Sequence, residues 1–254
     1  MVGISQAVLS VDVLISTISG LGLFFTPHIV GDFFFQKQTD GIHWHLIRCI
    51  GGQLLASAYV FCRFRNRGAE VKTSCYMLRV INCILGIFLL FNIKSVHEGS
   101  VHPSAAKYLI YTCFGTIAIY MILLLANGWK IGGTLYPGNR IGNFLYQIDA
   151  IASITIGMAW ISHPQWLLHR QVKVPMDETH ELCGRLMGSL FVASQVISGH
   201  ALHWEHQSDR SMAAETRAVC CLFILAGQIW SQIAYKEDWS GGHWSGFLFS
   251  PFGQ

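Results

Sequence analysis

Charge is scarce. Only 12% of the 254 residues are charged, about half the share found in an ordinary soluble domain. A soluble domain of this length would still need a charged surface, and these residues are too few to cover one. Lipid must therefore supply much of the solvent. The net charge of +3 is mild. No basic stripe is interleaved with aromatics, which argues against a nucleic-acid partner. None of the eight cysteines forms a C-x-x-C. They lie inside or at the ends of apolar runs, against both a disulfide framework and a thiolate zinc site. No P-loop, G-x-S-x-G or H-E-x-x-H is present, so no catalytic residue is assigned and no enzyme is indicated. The chain also lacks an Asn-x-Ser/Thr sequon, which leaves its compartment open.

What is present is apolar length. Seven runs approach spanning size: Ala7–Phe25, Leu46–Cys62, Cys75–Ile93, Tyr108–Ala126, Phe144–Ile161, Leu182–Ser198 and Ala218–Ala234. A helix needs about 20 residues to cross the hydrocarbon. These runs fall at or just under that, which favours the thinner bilayer of the endoplasmic reticulum. The first run lacks a basic n-region and a clean cleavage site, so it reads as a retained span. The expected fold is all-α, a polytopic bundle of seven transmembrane helices.

The chain also matches itself. Shifted by 137 residues, Asp12–Ser57 meets Asp149–Ser194 with identities at Asp12/Asp149, Ser16/Ser153, Gly20/Gly157, Pro27/Pro164, Asp40/Asp177, His43/His180, Arg48/Arg185, Gly51/Gly188, Ala56/Ala193 and Ser57/Ser194. A shift of 138 pairs Arg79 with Arg217 and Cys83 with Cys221. Such self-similarity marks repeated units. Four spans precede the second copy, so both copies enter the membrane in the same direction, as parallel tandem repeats in a 4+3 arrangement. The expected divisions are a four-helix repeat over 1–127, a linker over 128–143, a three-helix repeat over 144–238 and an interfacial aromatic tail over 239–254. Arg63, Arg65, Arg67 and Lys72 cluster between the second and third spans. The positive-inside rule then puts that loop and the N-terminus in the cytoplasm and the C-terminus in the lumen.

Charges inside spans point to function by default. Asp12 with Arg79, and Asp149 with Arg217, read as two intramembrane ion pairs, with Arg217 nearer its helix edge. A relay needs a carboxylate free to titrate, and an arginine alongside works against that. Arg48 and Arg185 lie at the other end of their spans, near His43 and His180. They read as partners of Asp40 and Asp177 or as contacts to a lipid headgroup or other anion. Gly51, Gly52, Ala56 and Ser57, with Gly188, Ala193 and Ser194, read as small residues that let helices approach closely. His200, His203 and His206 read as interface residues rather than zinc ligands. No haem, metal or other cofactor is assigned.

The stretch Pro27, Asp32 and Ile47–Leu55, containing Arg48-Cys49-Ile50-Gly51-Gly52, resembles a four-helix membrane protein induced by a tumour suppressor, and is similar in layout to the broader DoxX-like families. The resemblance spans roughly Asp12–Lys94, and the second copy departs from it with Ser189 where the first has Gly52. It implies a four-helix fold and no catalytic residues. Composition and small-residue faces favour a non-catalytic accessory or scaffold subunit that works with phospholipids and a larger membrane partner. A small transporter or scramblase, and a redox or metal protein using the histidines, are the alternatives.

Overall fold

The computed structural model describes residues 2–133, 135, 137–169 and 171–240. Among these the chain is all-α, with nine helices. They are α1 (Val2–Phe25), α2 (Pro27–Phe34), α3 (Gly41–Phe64), α4 (Ala69–Val96), α5 (Pro103–Ala126), α6 (Arg140–Ser162), α7 (Pro164–Leu168), α8 (Glu178–Ala201) and α9 (Gln207–Ala234). Seven of them, all but α2 and α7, are long and apolar enough to cross a membrane. The chain is thus built as a multi-pass membrane protein.

These helices run well past the apolar runs. Polar first turns, such as Glu178–Glu181 and Gln207–Arg210, form helix although they are not apolar. The spans are 23–28 residues long, or roughly 35–42 Å at 1.5 Å per residue. Span length therefore gives no reason to prefer a thin bilayer. Asp12 and Arg79 each lie ten positions past the first residue of their helix, and Arg217 lies ten past the start of α9. Arg217 is thus as deep as Arg79, not nearer the edge. α6 begins at Arg140, inside the stretch read as linker.

α3 and α8 form the centre and touch each other. Within their apolar windows 78% and 61% of residues are buried, against 11–28% for α1, α5, α6 and α9. α1 lies along α3, and α6 along α8. α9 packs on α3 while α4 packs on α8. The two halves thus interlock, each central helix flanked by a helix of the other half. α5 covers α4.

Glycine sets the closest approaches. A Cβ at Gly51 would lie 2.6 Å from the Phe24 backbone nitrogen and 2.9 Å from the Gly20 carbonyl oxygen. A Cβ at Gly188 would lie 2.7 Å from the Gly157 carbonyl oxygen. Real Cβ atoms do not come so near, so backbones meet here as at small-residue interfaces in membranes. A Cβ at Gly52 would lie 2.8 Å from the Phe223 Cβ of α9. Ala56 and Ala193 are buried. Ser57 and Ser194 return their hydroxyls to the Gln53 and Phe191 carbonyls.

The basic cluster is tied down across the fold. Arg63 meets Glu215 at 3.0 Å, Arg67 meets Asp209 at 3.4 Å, and Arg65 donates to Ser10. At the opposite end, Phe35 bridges to Val101 and Val172 to Trp239. Trp239 is 2% exposed and stacks edge-on against His45. The expected interfacial tail therefore begins with a buried residue, because the bridge to Val172 draws it into the fold. Residues 241–254 of that tail lie outside the described residues.

Candidate functional site

Two places gather chemistry-bearing residues. The first is a groove of about 850 Å³ between α1, α2, α3, α4, α5 and α8. Its walls are mostly apolar, from Val8, Ile15 and Leu23 to Leu90, Leu109 and Leu186. A polar strip runs along it, formed by Asp12, Ser16, Arg79, Asn82, Thr116 and Tyr120.

The Asp12 carboxylate anchors that strip. Oδ1 accepts from Arg79 Nη2 at 2.5 Å and Ser16 Oγ at 2.7 Å. Oδ2 accepts from Arg79 Nε at 3.0 Å and Tyr120 OH at 2.5 Å. Arg79 also donates to Ser16 and lies over the Phe61 ring. Four donors on one carboxylate compensate its removal from water, which is what makes a buried pair tolerable. The second pair is built alike. Arg217 Nε meets Asp149 at 2.8 Å, its Nη groups donate to Ser153 and Ser194, and Ser198 donates to Asp149. Its side chains are 20% and 26% exposed, against 8% and 13% for the first pair. The difference follows from α5, which brings Tyr120 to Asp12 and has no equivalent beside α6 and α9 among the described residues.

The second place is a clamp where the first turns of α3 and α8 meet. Asp40 and Asp177 are the N-caps. Each carboxylate accepts two backbone N–H groups, and in each case His at the third helical position closes a reciprocal capping box. Such boxes satisfy donors that a helix start otherwise leaves orphaned. The two histidines then cross over. His180 Nε2 lies 3.0 Å from Asp40 Oδ2, and its Nδ1 lies 2.8 Å from Asp177 Oδ1. His43 Nδ1 lies 3.0 Å from Asp40 Oδ1, and its Nε2 lies 2.7 Å from Thr179 Oγ1, whose hydroxyl donates to Asp177. The imidazole rings stack with centroids 3.6 Å apart, leaving no space for a haem between them.

The carboxylates respond to this setting. Burial opposes charge on Asp40, but hydrogen bonds from His180 and His43 hold its carboxyl well below the usual range. Burial likewise opposes charge on Asp177, and bonds from the Thr179 hydroxyl and the His180 N–H outweigh it, so this carboxyl too is lowered. Asp238, which accepts from Gly41 N–H, is pushed up by burial and by the neighbouring Asp40 charge. Lys37 is raised by its hydrogen bond to Glu178.

The clamp redirects residues read from the sequence as anion contacts. His43 and His180 are 1% and 3% exposed and are consumed by the clamp, so they do not face headgroups. Arg48 is 3% exposed and does not pair with Asp40. Two helical turns separate them, so Arg48 donates instead to the Phe24 carbonyl and the Tyr235 hydroxyl and lies over the Trp230 and Tyr235 rings. Arg185 pairs with Glu181 at 2.7 Å, not with Asp177. His200, His203 and His206 do not converge, since α8 ends at Ala201 and His206 caps α9. Among the described residues, the His, Cys, Asp and Glu side chains that meet closely enough to share a metal ion are Asp40, His43 and His180. The repeated Asp-x-x-His was visible in the sequence, but the meeting of its two copies was not.

Fold and site define an all-α, multi-pass membrane protein with seven candidate spans, a largely apolar groove and a histidine–carboxylate clamp. It belongs to the family described as "Domain of unknown function (DUF8292)", which it matches over residues 10–253. No curated protein and no solved structure matches the chain.

Proposed function

We propose that this protein is a non-catalytic, lipid-handling membrane subunit that takes the acyl portion of a bilayer lipid into the groove between α1, α4 and α5. The groove carries this reading. Its volume of about 850 Å³ falls in the range of small-molecule sites, roughly 300–1,000 Å³. Apolar walls suit an acyl chain, and the strip from Asp12 to Tyr120 offers polar contacts to an ester or hydroxyl.

We read the matched ion pairs, capping boxes and glycine contacts as the products of an internal duplication, with α5 as an element that has no counterpart among the described residues of the second copy. The N-terminus is cytoplasmic on this reading, from Arg63, Arg65 and Arg67. The subunit role rests on the more exposed Asp149–Arg217 pair, where a partner helix would occupy the place that α5 holds beside Asp12.

The test fills the groove without touching the fold. Gly86 lines the groove, and a Cβ there meets nothing within 4 Å. Gly86→Phe also removes a helix-weakening glycine from α4. Purified protein is labelled with a phospholipid carrying a photoreactive acyl chain. Wild type should crosslink on α1, α4 and α5, and Gly86→Phe should lose at least five-fold of that label at unchanged thermal stability. Equal labelling of both would sink the proposal.

A further inference from the structure

We propose that Asp40, His43 and His180 form a binding site for a divalent transition-metal ion, zinc being the ion that best suits the donor set. Two imidazoles and a carboxylate are zinc ligands, and three protein ligands with one open position make a recurring zinc arrangement.

The distances fit. Metal–ligand bonds of about 2.0–2.2 Å in a tetrahedron place the donor atoms roughly 3.3 Å apart. His43 Nδ1 and His180 Nε2 each lie 3.0 Å from the Asp40 carboxylate, and the three donors all lie within 4.8 Å of one another. Asp40 can serve both roles. Oδ1 takes the capping N–H groups of Ile42 and His43 and also lies 3.0 Å from His43 Nδ1 and 3.1 Å from His180 Nε2, while Oδ2, among the described residues, lies 3.0 Å from His180 Nε2 and takes no capping N–H. The Asp40 side chain is 29% exposed, which gives an ion a way in.

The surroundings are those of a built site. Metal-bound histidines usually give their other ring N–H to a carboxylate, directly or through a neighbour, and this fixes the tautomer. Here both remaining nitrogens lead to Asp177. His180 Nδ1 reaches it at 2.8 Å, and His43 Nε2 reaches it through the Thr179 hydroxyl. Turning both ring protons to the Asp177 side, away from the Asp40 carboxylate to which they otherwise donate, leaves two ring lone pairs and the carboxylate facing one another, a set that a cation can bridge. The backbone N–H groups of Asp40 and Asp177 reach the two Nδ1 atoms at 3.4 and 3.2 Å, longer than the carboxylate contacts.

Charge agrees. Asp40, Asp177, Glu178 and Asp238 gather here against Lys37. Two helix N-termini add only about half a positive charge each. Lys37 sits on Asp177 Oδ2 and Glu178, leaving Asp40 uncovered.

The test uses the full chain in detergent, purified without a histidine tag and stripped with chelator. Zinc alone is added, and bound metal is counted by elemental mass spectrometry after dialysis. Cobalt(II) is added in parallel for its visible absorption. One equivalent is expected, with the spectrum of a tetrahedral site and a rise in Tm on adding zinc. Asp40→Asn, His43→Gln and His180→Gln should each lose the equivalent and the Tm response. Asp177→Asn should bind about 10–100-fold more weakly. His200→Gln and His206→Gln, which lie outside the cluster, should bind as wild type. Wild type that binds no stoichiometric metal and shows no cobalt spectrum overturns the proposal. So does a folded His180→Gln chain that keeps wild-type affinity.

Discussion

Replacing Asp12 by Asn removes the charge that balances Arg79 while keeping the side-chain shape. The two side chains are 8% and 13% exposed, so water can do little to take over. Arg79 then keeps its Ser16 contact and the Phe61 ring, and loses a bidentate carboxylate. Stranding one partner of a buried pair costs about 3–5 kcal/mol. At about 2–4 °C per kcal/mol for a chain of this size, Tm should fall by about 6–20 °C. Asp149→Asn should cost roughly half as much, because its pair is 20–26% exposed and more easily rehydrated. The double variant Asp12→Leu with Arg79→Leu should recover most of the loss, since apolar replacement of a whole buried pair is often neutral. Thermal denaturation of the detergent-solubilised full chain, followed by fluorescence-detected size exclusion, reads all four forms. The single variants Asp12→Leu and Arg79→Leu close the cycle, and a double variant that loses as much as these two added together would show that the pair carries no coupling and that mutual compensation is absent.

Three further outcomes are expected. Tyr120→Phe should destabilise by about 1.5–3 kcal/mol, the range for a hydrogen bond to a charged group, and should do so only where Asp12 is present. A Tyr120→Phe loss of equal size in the Asp12→Leu/Arg79→Leu background would break that link. Gly188→Leu should lower stability by about 1–3 kcal/mol or more through the α6–α8 contact, whereas Gly3→Leu, with nothing within 4 Å, should be neutral; melting curves of the two separate the cases. Asp40 and Asp177 are lowered in the folded state, so the unfolded chain takes up their protons first as pH falls. Their stabilising effect should be full above the ordinary carboxylate value of about 4 and fade below it. Stability measured from pH 7 to pH 3 should therefore drop for wild type and drop less steeply for Asp40→Asn.

The spanning character needed no fold to be read. With so few charges and seven apolar runs, much of the surface has to face lipid, where helices span because they satisfy their own backbone groups. The candidate ion-pair residues were legible too, because a charge inside an apolar run stands out against its neighbours. The ends of the helices were not. Polar first turns such as Gln207–Arg210 are helical without being apolar, so hydropathy ended the spans early and misplaced Arg217. Arg48 was assigned to Asp40 by closeness in sequence, but the capping box had already used that carboxylate. The groove depends on α5 standing off from α1, and no local signal states that spacing.

Sequence alone determined the composition, the span count and the self-match at 137 residues, which are properties of single segments. Only tertiary structure decided that α3 and α8 lie side by side with their first turns together at Asp40 and Asp177. Two Asp-x-x-His turns were each readable as a helix start. Their histidines became a single cluster because α4 and α9 cross to the opposite halves and hold the two central helices together, which no segment can specify by itself.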